Sequence, residues 1–349
     1  MTTPNPVIIE QARRQFFSGK GLPVDQISHA ILRSWIRCTD MGLNEGKAPL
    51  AERPEARELR QLHERHEGLR RLCQPELDAL YNEARDLSGL VILTNADGVV
   101  LDTLGDAGFA DRAAQVALKP GVLWSEGGTG TNAIGTAMAE RRGVSVFGGE
   151  HYFTEHRVLS CAAMPIVDPR GVIMGVLDMS VPAADAGAHM LGMIRMAVEQ
   201  IEHRLFRDGF DGCQTLRFQT DPGLLGVARE GILVVKDGYI VGANRKGLSL
   251  AGLGWDGLDV THVEDVLDQD VGQVRSSGVM SLRDGRRFHA RMEEEGTAAL
   301  AALTSGSLED MELTTIRAAV EAHKGNISAA ARHLGIHRST IYRRLSEIG

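Results

Sequence analysis

The sequence predicts an α+β, multidomain chain. Three observations carry that expectation: apolar runs paired around Asn95-Ala-Asp97-Gly98 and Asp168-Pro-Arg-Gly171, helix-period segments on either side of them, and an all-helical unit near the C-terminus. A length of 349 residues suffices for two or three domains, each with its own core. The economical arrangement is a run of N-terminal helices, an antiparallel sheet with helices on one side, a small α/β domain, and a C-terminal all-α helix-turn-helix.

Taken in order, residues 1–73 form an N-terminal helical segment. Ser28 to Cys38 is one helix and Pro54 to Leu72 another; in the second, Leu59, Leu62, Leu69 and Leu72 recur among charges, as on a helix packed against a domain or a second subunit. Residues 74–206 form a mixed domain. Leu90–Leu93 and Val99–Leu101 flank the first turn and Leu159–Val167 and Val172–Met179 the second, each turn having the Asx-plus-glycine chemistry of a hairpin. Between the pairs lie helices near Ala107–Ala117 and Asn132–Arg141 and a short strand at Val144–Phe147. A helix over 187–206 closes the domain. Its Leu191, Ile194, Val198, Ile201 and Leu205 alternate by three and four, which suits a core face or a coiled-coil seam equally.

A smaller unit spans 214–292. Ile232–Val235 and Tyr239–Val241 pair around Asp237-Gly238, Asn244 opens a helix, and Val279–Leu282 pairs with Arg286–Met292 across Asp284-Gly285. Residues 293–307, rich in Glu, Gly, Ala, Thr and Ser, read as a linker. In the last unit, 308–349, Asn326 is an N-cap, and Ile327, Ala330, Ala331 and Leu334 follow at helical spacing up to a stop at Gly335. A second helix begins near His337 with Ile341, Leu345 and Ile348 on one stripe. The opposite face carries Ser339, Arg343 and Ser346 and is free to enter a major groove.

Charge is distributed to match. The chain has a formal net charge of −8, yet Lys324 to Leu345 holds five Lys and Arg and no Asp or Glu, so removing that segment leaves −13 on the remainder. A phosphate backbone attracts such a tip and repels the rest. The four cysteines, Cys38, Cys73, Cys161 and Cys213, are scattered without a CxxC pair, which argues for reduced, buried thiols over disulfides or structural zinc. No N-terminal leader pattern and no apolar run near 18 residues is present. A cytoplasmic protein with no membrane partner is expected.

The C-terminal unit resembles the Fis-type DNA-binding domain, through a leading helix from Leu308 to His323, Gly325-Asn326, the Ala-rich helix, Leu334-Gly335-Ile336, and Arg338–Leu345. That resemblance implies double-stranded DNA as partner. It places Ser339, Thr340, Tyr342 and Arg343 at base edges, Arg338 and Arg344 on phosphates, and Asn326 and Ser328 at a phosphate-gripping helix N-terminus. A homodimer reading an inverted-repeat operator follows from two-fold symmetry.

Leu123-Trp-Ser-Glu-Gly-Gly-Thr-Gly-Thr-Asn-Ala-Ile-Gly-Thr136, Gly149-Glu-His-Tyr-Phe153, Leu159–Ile166 and Gly175–Ser180 resemble the GAF sensor domain of the acetoin-catabolism regulator family, over roughly residues 5–206. The resemblance implies a small-molecule effector pocket on the sheet, covered by residues 123–153. Residues 217–292 resemble a PAS-like domain. Most members of the family carry an ATPase between sensor and DNA-binding unit; here there is no G-x-x-x-x-G-K-[ST] loop, no acidic strand to hold magnesium, and no GAFTGA element. The expectation is a regulator lacking the central AAA+ ATPase domain, which recruits or excludes RNA polymerase, or modifies another regulator, without ATP-driven sigma-factor remodelling.

The candidate effector-site residues are Trp124, Glu126, Thr131, Asn132, His151, Cys161 and Asp178. Trp124 offers apolar area, while Glu126 and Thr131 offer polar fixation and Asn132 caps a helix. Asp178, inside an apolar strand, is a buried carboxylate in need of a partner. The glycines of Gly127–Asn132 lack dinucleotide-binding spacing. One alternative is metal or redox sensing through His151, His156 and Cys161, whose spacing of five and five matches no known helical pair or finger. Another is a GAF-type reductase, which needs paired cysteines where Cys161 stands alone. No cofactor, resident metal or enzymatic activity is expected.

Overall fold

The computed structural model describes residues 5–46, 48, 54–86, 89–105, 118–185, 187, 189–207 and 209–293, and, towards the C-terminus, 319–320, 323, 326–334, 338 and 341. The chain divides into two compact units, one of residues 1–166 and 173–201, the other of 167–172 and 202–349. The helix expected at Ala107–Ala117, the linker beyond Glu293 and most of the helix Leu308–His323 lie outside the described residues.

The first unit begins with α1 (Pro6–Phe17) and α2 (His29–Asp40), capped by Asn5, which accepts from the Val7 amide at 2.9 Å, and Ser28, which accepts from Ile31 at 3.3 Å. The segment expected as one helix from Pro54 is two. α3 (Ala56–Arg65) ends at His66, and α4 (Glu67–Asp86) runs past Pro75. Leu69, Cys73, Leu77 and Leu80 make its buried stripe.

Five strands form one antiparallel sheet in the order β2-β1-β5-β4-β3: β1 Leu90–Asn95, β2 Val100–Gly105, β3 Val144–Phe147, β4 Leu159–Val167 and β5 Ile173–Pro182. The hairpins close as their turn residues dictate. Asn95 Oδ1 accepts from the amides of Asp97 and Val99, Asp168 Oδ1 from those of Arg170 and Val172, and Gly98 and Gly171 supply the positive φ that ends each turn.

Between β2 and β3 come a single turn, α5 (Glu126–Thr129), and α6 (Ala133–Glu140). The sheet is covered on both faces, which corrects the one-sided expectation. Leu90, Ile92, Cys161 and Val176 share a core with Ile31 and Trp35 of α2 and with Trp124, Tyr152 and Phe153. Val91, Leu93, Leu177 and Met179 alternate to the other face, where α4 packs. Accordingly β1 and β4 are buried at every position and lack the apolar-polar alternation of a half-exposed strand. In α7 (Met190–Arg204), Ile194, Val198 and Ile201 are fully buried, so the chain itself fills the stripe that also read as a coiled-coil seam.

The second unit holds an antiparallel sheet of order β8-β7-β6-β10-β9: β6 Gln214–Gln219, β7 Gly231–Lys236, β8 Tyr239–Ala243, β9 Val279–Ser281 and β10 Arg287–Glu293. Both expected hairpins form, and β6, which the pattern did not reveal, joins them at the centre. One face is buried beneath α8 (Arg245–Ala251), α9 (Val263–Val266) and α10 (Val271–Ser277). In the C-terminal segment, α11 (Ile327–Leu334) starts at Asn326, whose Oδ1 accepts from Ala329 at 3.1 Å; Ala319, Ala330, Ala331 and Ile341 form a small core. No described helix is long and apolar enough to cross a membrane.

Candidate functional site

The sequence-selected residues of the first unit separate into two groups. Glu126, Thr131 and Asn132 are taken up inside the chain. The Glu126 carboxylate accepts from Arg37 Nε at 2.6 Å and Nη2 at 2.7 Å, and from Thr136 Oγ1 at 3.0 Å. Ser34 Oγ donates to Thr131 Oγ1 at 2.7 Å. Asn132 Oδ1 caps α6 by accepting from Gly135 at 2.8 Å, while Nδ2 donates to Thr129 and to the Gly130 carbonyl. These bonds tie the 126–132 loop to α2 and set the frame beside which Trp124 is placed.

Trp124, His151, Cys161 and Asp178 belong to the sheet core, and two residues complete their set. Ser180, two positions after Asp178 and therefore on the same face of β5, lies 2.7 Å from Asp178 Oδ1 and 3.0 Å from Cys161 Sγ. Cys161 Sγ is 3.6 Å from His151 Nε2, and the His151 ring lies 6.3 Å from that of His156, which stacks on Trp124 at 5.1 Å. His151 Nδ1 faces the Gly148 carbonyl at 3.0 Å, so that nitrogen bears the proton and Nε2 presents a lone pair to the thiol.

This row of polar groups is almost fully enclosed, and two of its atoms, Asp178 Oδ2 and His156 Nδ1, have no hydrogen-bond partner. Burial sets its protonation. It pushes the Asp178 carboxyl up to about 7, against a hydrogen bond from Ser180 that pulls it down. Burial takes His151 down to about 3, helped by neighbouring His156, and takes His156 itself to about 4. The Cys161 thiol is driven well above its ordinary value by burial and by nearby Asp178, so it is a poor nucleophile. Below pH 7 the row is largely uncharged; it holds hydrogen-bonding capacity in reserve and faces aromatic walls.

The N-terminal helices hold the loop that carries His151. Arg13, only 2% exposed, donates from Nη1 to the carbonyls of Gly149 and His151 and from Nη2 to that of Tyr152, with the Phe17 ring 4.7 Å from its guanidinium. Trp35 Nε1 donates to the Glu150 carbonyl at 2.8 Å. Sequence reasoning missed both roles because the partners lie more than a hundred residues away. Ser180 was legible from strand parity alone.

The metal reading does not assemble. Among the described residues no three His, Cys, Asp or Glu side chains come together in a metal-holding arrangement, and His151 Nδ1 is committed to a carbonyl. The four cysteines are buried and free. In the C-terminal segment Asn326 caps α11 and Arg338 is exposed, while Ser328 is described through its backbone only. Ser339, Thr340, Tyr342, Arg343 and Arg344 lie outside the described residues.

Residues 5–203 match the family described as MimR, N-terminal domain. The chain belongs to that family. Residues 307–347 match a second one, described as bacterial regulatory protein, Fis family. Over 280 residues the chain is 29% identical to the acetoin catabolism regulatory protein of Cupriavidus necator, covering 78% of this chain and 40% of that protein. Over 222 residues it is 31% identical to the propane 2-monooxygenase operon transcriptional activator MimR of Mycolicibacterium smegmatis, covering 63% and 36%. It is also similar to the crystal structure of the E. coli DhaR(N)-DhaL complex, with a TM-score of 0.49 and 13% identity over 77% of this chain and 100% of that one. The chain thus spans two fifths or less of the length of these two curated relatives. Every member of the polar row lies within the MimR N-terminal match. Residues 204–306, between the two matches, contain no G-x-x-x-x-G-K-[ST] loop.

Proposed function

We propose that this chain is a ligand-responsive, DNA-binding transcription regulator. One observation carries the reading: a Fis-family segment at 307–347 shares the chain with a MimR-type N-terminal domain whose enclosed polar row ends in the unpartnered Asp178 Oδ2. Trp124, His151, His156, Cys161, Ser180 and Asp178 are the effector-binding set, while Glu126, Thr131 and Asn132 support the loop beside it. A small uncharged effector suits this enclosed row, because a buried unpaired charge would go uncompensated.

DNA is engaged by Ser339, Thr340, Tyr342 and Arg343 at base edges, and by Asn326, Ser328, Arg338 and Arg344 at phosphates. A homodimer presents two such helices to an inverted repeat, and residues 214–292 are a PAS-like domain. The relatives named for acetoin and propane metabolism support a regulator of small-molecule catabolism. Without an ATPase loop in residues 204–306, control falls on recruiting or excluding RNA polymerase rather than on ATP-driven remodelling.

The test is a footprint of the full chain on its neighbouring upstream DNA. Arg343→Ala should weaken binding by about 1–3 kcal/mol and relax the sequence requirement at one base pair. An unchanged footprint contradicts the assignment. A thermal-shift screen of small alcohols, ketones and aldehydes should yield a stabilising compound, because binding to the native state raises its melting temperature.

A further inference from the structure

A hairpin turn ordinarily projects into water, but the turn joining β4 to β5 is enclosed: Pro169 and Gly171 are both buried. The chain passes from the first unit to the second at this turn and again within α7, because residues 167–172 and everything from Glu202 onward belong to the second unit. β4 and β5 are also strands that carry the polar row. Cys161 stands six residues before Val167, and Asp178 and Ser180 stand seven and nine after Gly171. Row and turn are therefore about 20 Å apart along one strand pair.

The second unit grips the turn. The Pro169 carbonyl accepts from the Ala243 amide at 2.8 Å, at the end of β8 and one residue before Asn244, which caps α8. Arg170 pairs with Asp259, whose own amide donates to the Ile240 carbonyl of β8 at 2.8 Å. Gly171, at a φ of 81°, lies so close to Trp255 that a Cβ there would come within 2.5 Å of the indole ring. Glu202, 4% exposed, accepts from the Val167 amide at 2.9 Å and from Arg245 of α8 at 3.2 Å. None of these bonds is needed to close the hairpin, since Asp168 Oδ1 and the Gly171 amide already do so within the turn.

We propose, building on the regulator reading above, that this turn is the relay through which the state of the polar row reaches the DNA-bearing part of the chain. β5 lies between β1 and β4 and is buried at all but its two end positions. A change at Asp178 finds no slack beside the strand, and close-packed elements shift as discrete pieces. The far end of the strand pair finishes on the Ala243 amide and the Glu202 carboxylate, which bracket the start of α8. A shift of the turn thus re-aims α8 and the end of β8. Trp255 and Arg170 are positioning residues in this scheme, because they fix how firmly the turn is seated.

Amide hydrogen exchange of the full chain at pH 8 tests the relay, with Asp178→Asn as the perturbation. At that pH the wild-type carboxyl, lifted by burial to about 7, is largely ionised and the asparagine is not. The Ala243 amide is the reporter, since its acceptor is the Pro169 carbonyl; the Ala290 amide, which donates to Gly278 at 3.0 Å, controls for the overall stability of the second unit. Asp178→Asn should change exchange at Ala243 by about fivefold or more and at Ala290 by less than about twofold. In a Trp255→Ala background the Ala243 response should fall below about twofold, while the response of the β5 amides persists. Arg170→Ala removes only a partly exposed ion pair and should fold as the wild type; it should weaken the response in the same direction, and it decides the matter if Trp255→Ala does not fold. Equal exchange at Ala243 in wild type and Asp178→Asn, an equal change at Ala243 and Ala290, or a response that neither turn variant diminishes overturns the relay. Exchange is read without DNA, so a wild-type chain that binds no duplex overturns the regulator reading alone.

Discussion

Replacing Asp178 with asparagine probes the enclosed row most sharply. The side chain is 1% exposed, and burial lifts its carboxyl from 3.8 to about 7. A carboxyl whose value is raised by folding contributes stability that is fully present below pH 3.8 and lost as pH climbs through 7. At about 1.4 kcal/mol per pH unit, the whole loss is about 4 kcal/mol at most. The asparagine side chain has nearly the same shape, still offers an oxygen to Ser180, and never ionises. The difference in unfolding free energy between Asp178→Asn and wild type should therefore move in the variant's favour by about 2–3 kcal/mol between pH 5 and pH 7, then level off. His151, His156 and Glu150 also titrate anomalously, but they do so in both proteins and largely cancel from the difference. Urea denaturation at pH 5, 6, 7 and 8 reads the effect. A difference independent of pH would refute the argument that this carboxyl is buried without compensation.

Two further outcomes follow from the same geometry. Arg13→Met leaves the carbonyls of Gly149, His151 and Tyr152 without their donor, and should lower stability by about 3 kcal/mol in urea denaturation; a loss under about 0.5 kcal/mol would mean the helix does not hold the His151 loop. His151 and His156 are depressed from 6.5 to about 3 and 4, so they stabilise the fold above pH 6.5 and that contribution is lost on acidification towards pH 4. Ring ¹⁵N shifts should show His151 neutral and protonated at Nδ1 from pH 7 down to pH 5, and a midpoint near 6.5 would contradict its burial.

What could be read from the sequence was what is locally encoded. The hairpins at Asn95–Gly98, Asp168–Gly171 and Asp237–Gly238 declare themselves because the turn chemistry sits within four residues. The helix starts at Asn132, Asn244 and Asn326 do so for the same reason. β6 was hidden because Gln214–Gln219 places a buried Arg217 in a strand whose compensating Glu230 comes 13 residues later. The second covering of the first sheet was hidden because an unbroken apolar run such as Leu159–Val167 does not say how many faces are buried. Among the candidate effector residues, Asp178, Cys161, His151 and Trp124 stood out by residue type in an apolar setting, and all four are buried. Glu126 and Thr131 have the same types but meet Arg37 and Ser34 of α2, contacts that only the tertiary fold creates.

The central claim is that one chain joins a chemical sensor to a grip on DNA, and one titration tests it. Full-length protein is titrated against duplexes tiled from its genomic neighbourhood, from about 50 to 200 mM salt, with and without the compound that raises its melting temperature. The account predicts one preferred fragment, affinity that falls steeply with salt, and a ligand-induced change in Kd that Asp178→Asn abolishes. No salt-sensitive preference for any fragment, in either condition, would contradict it.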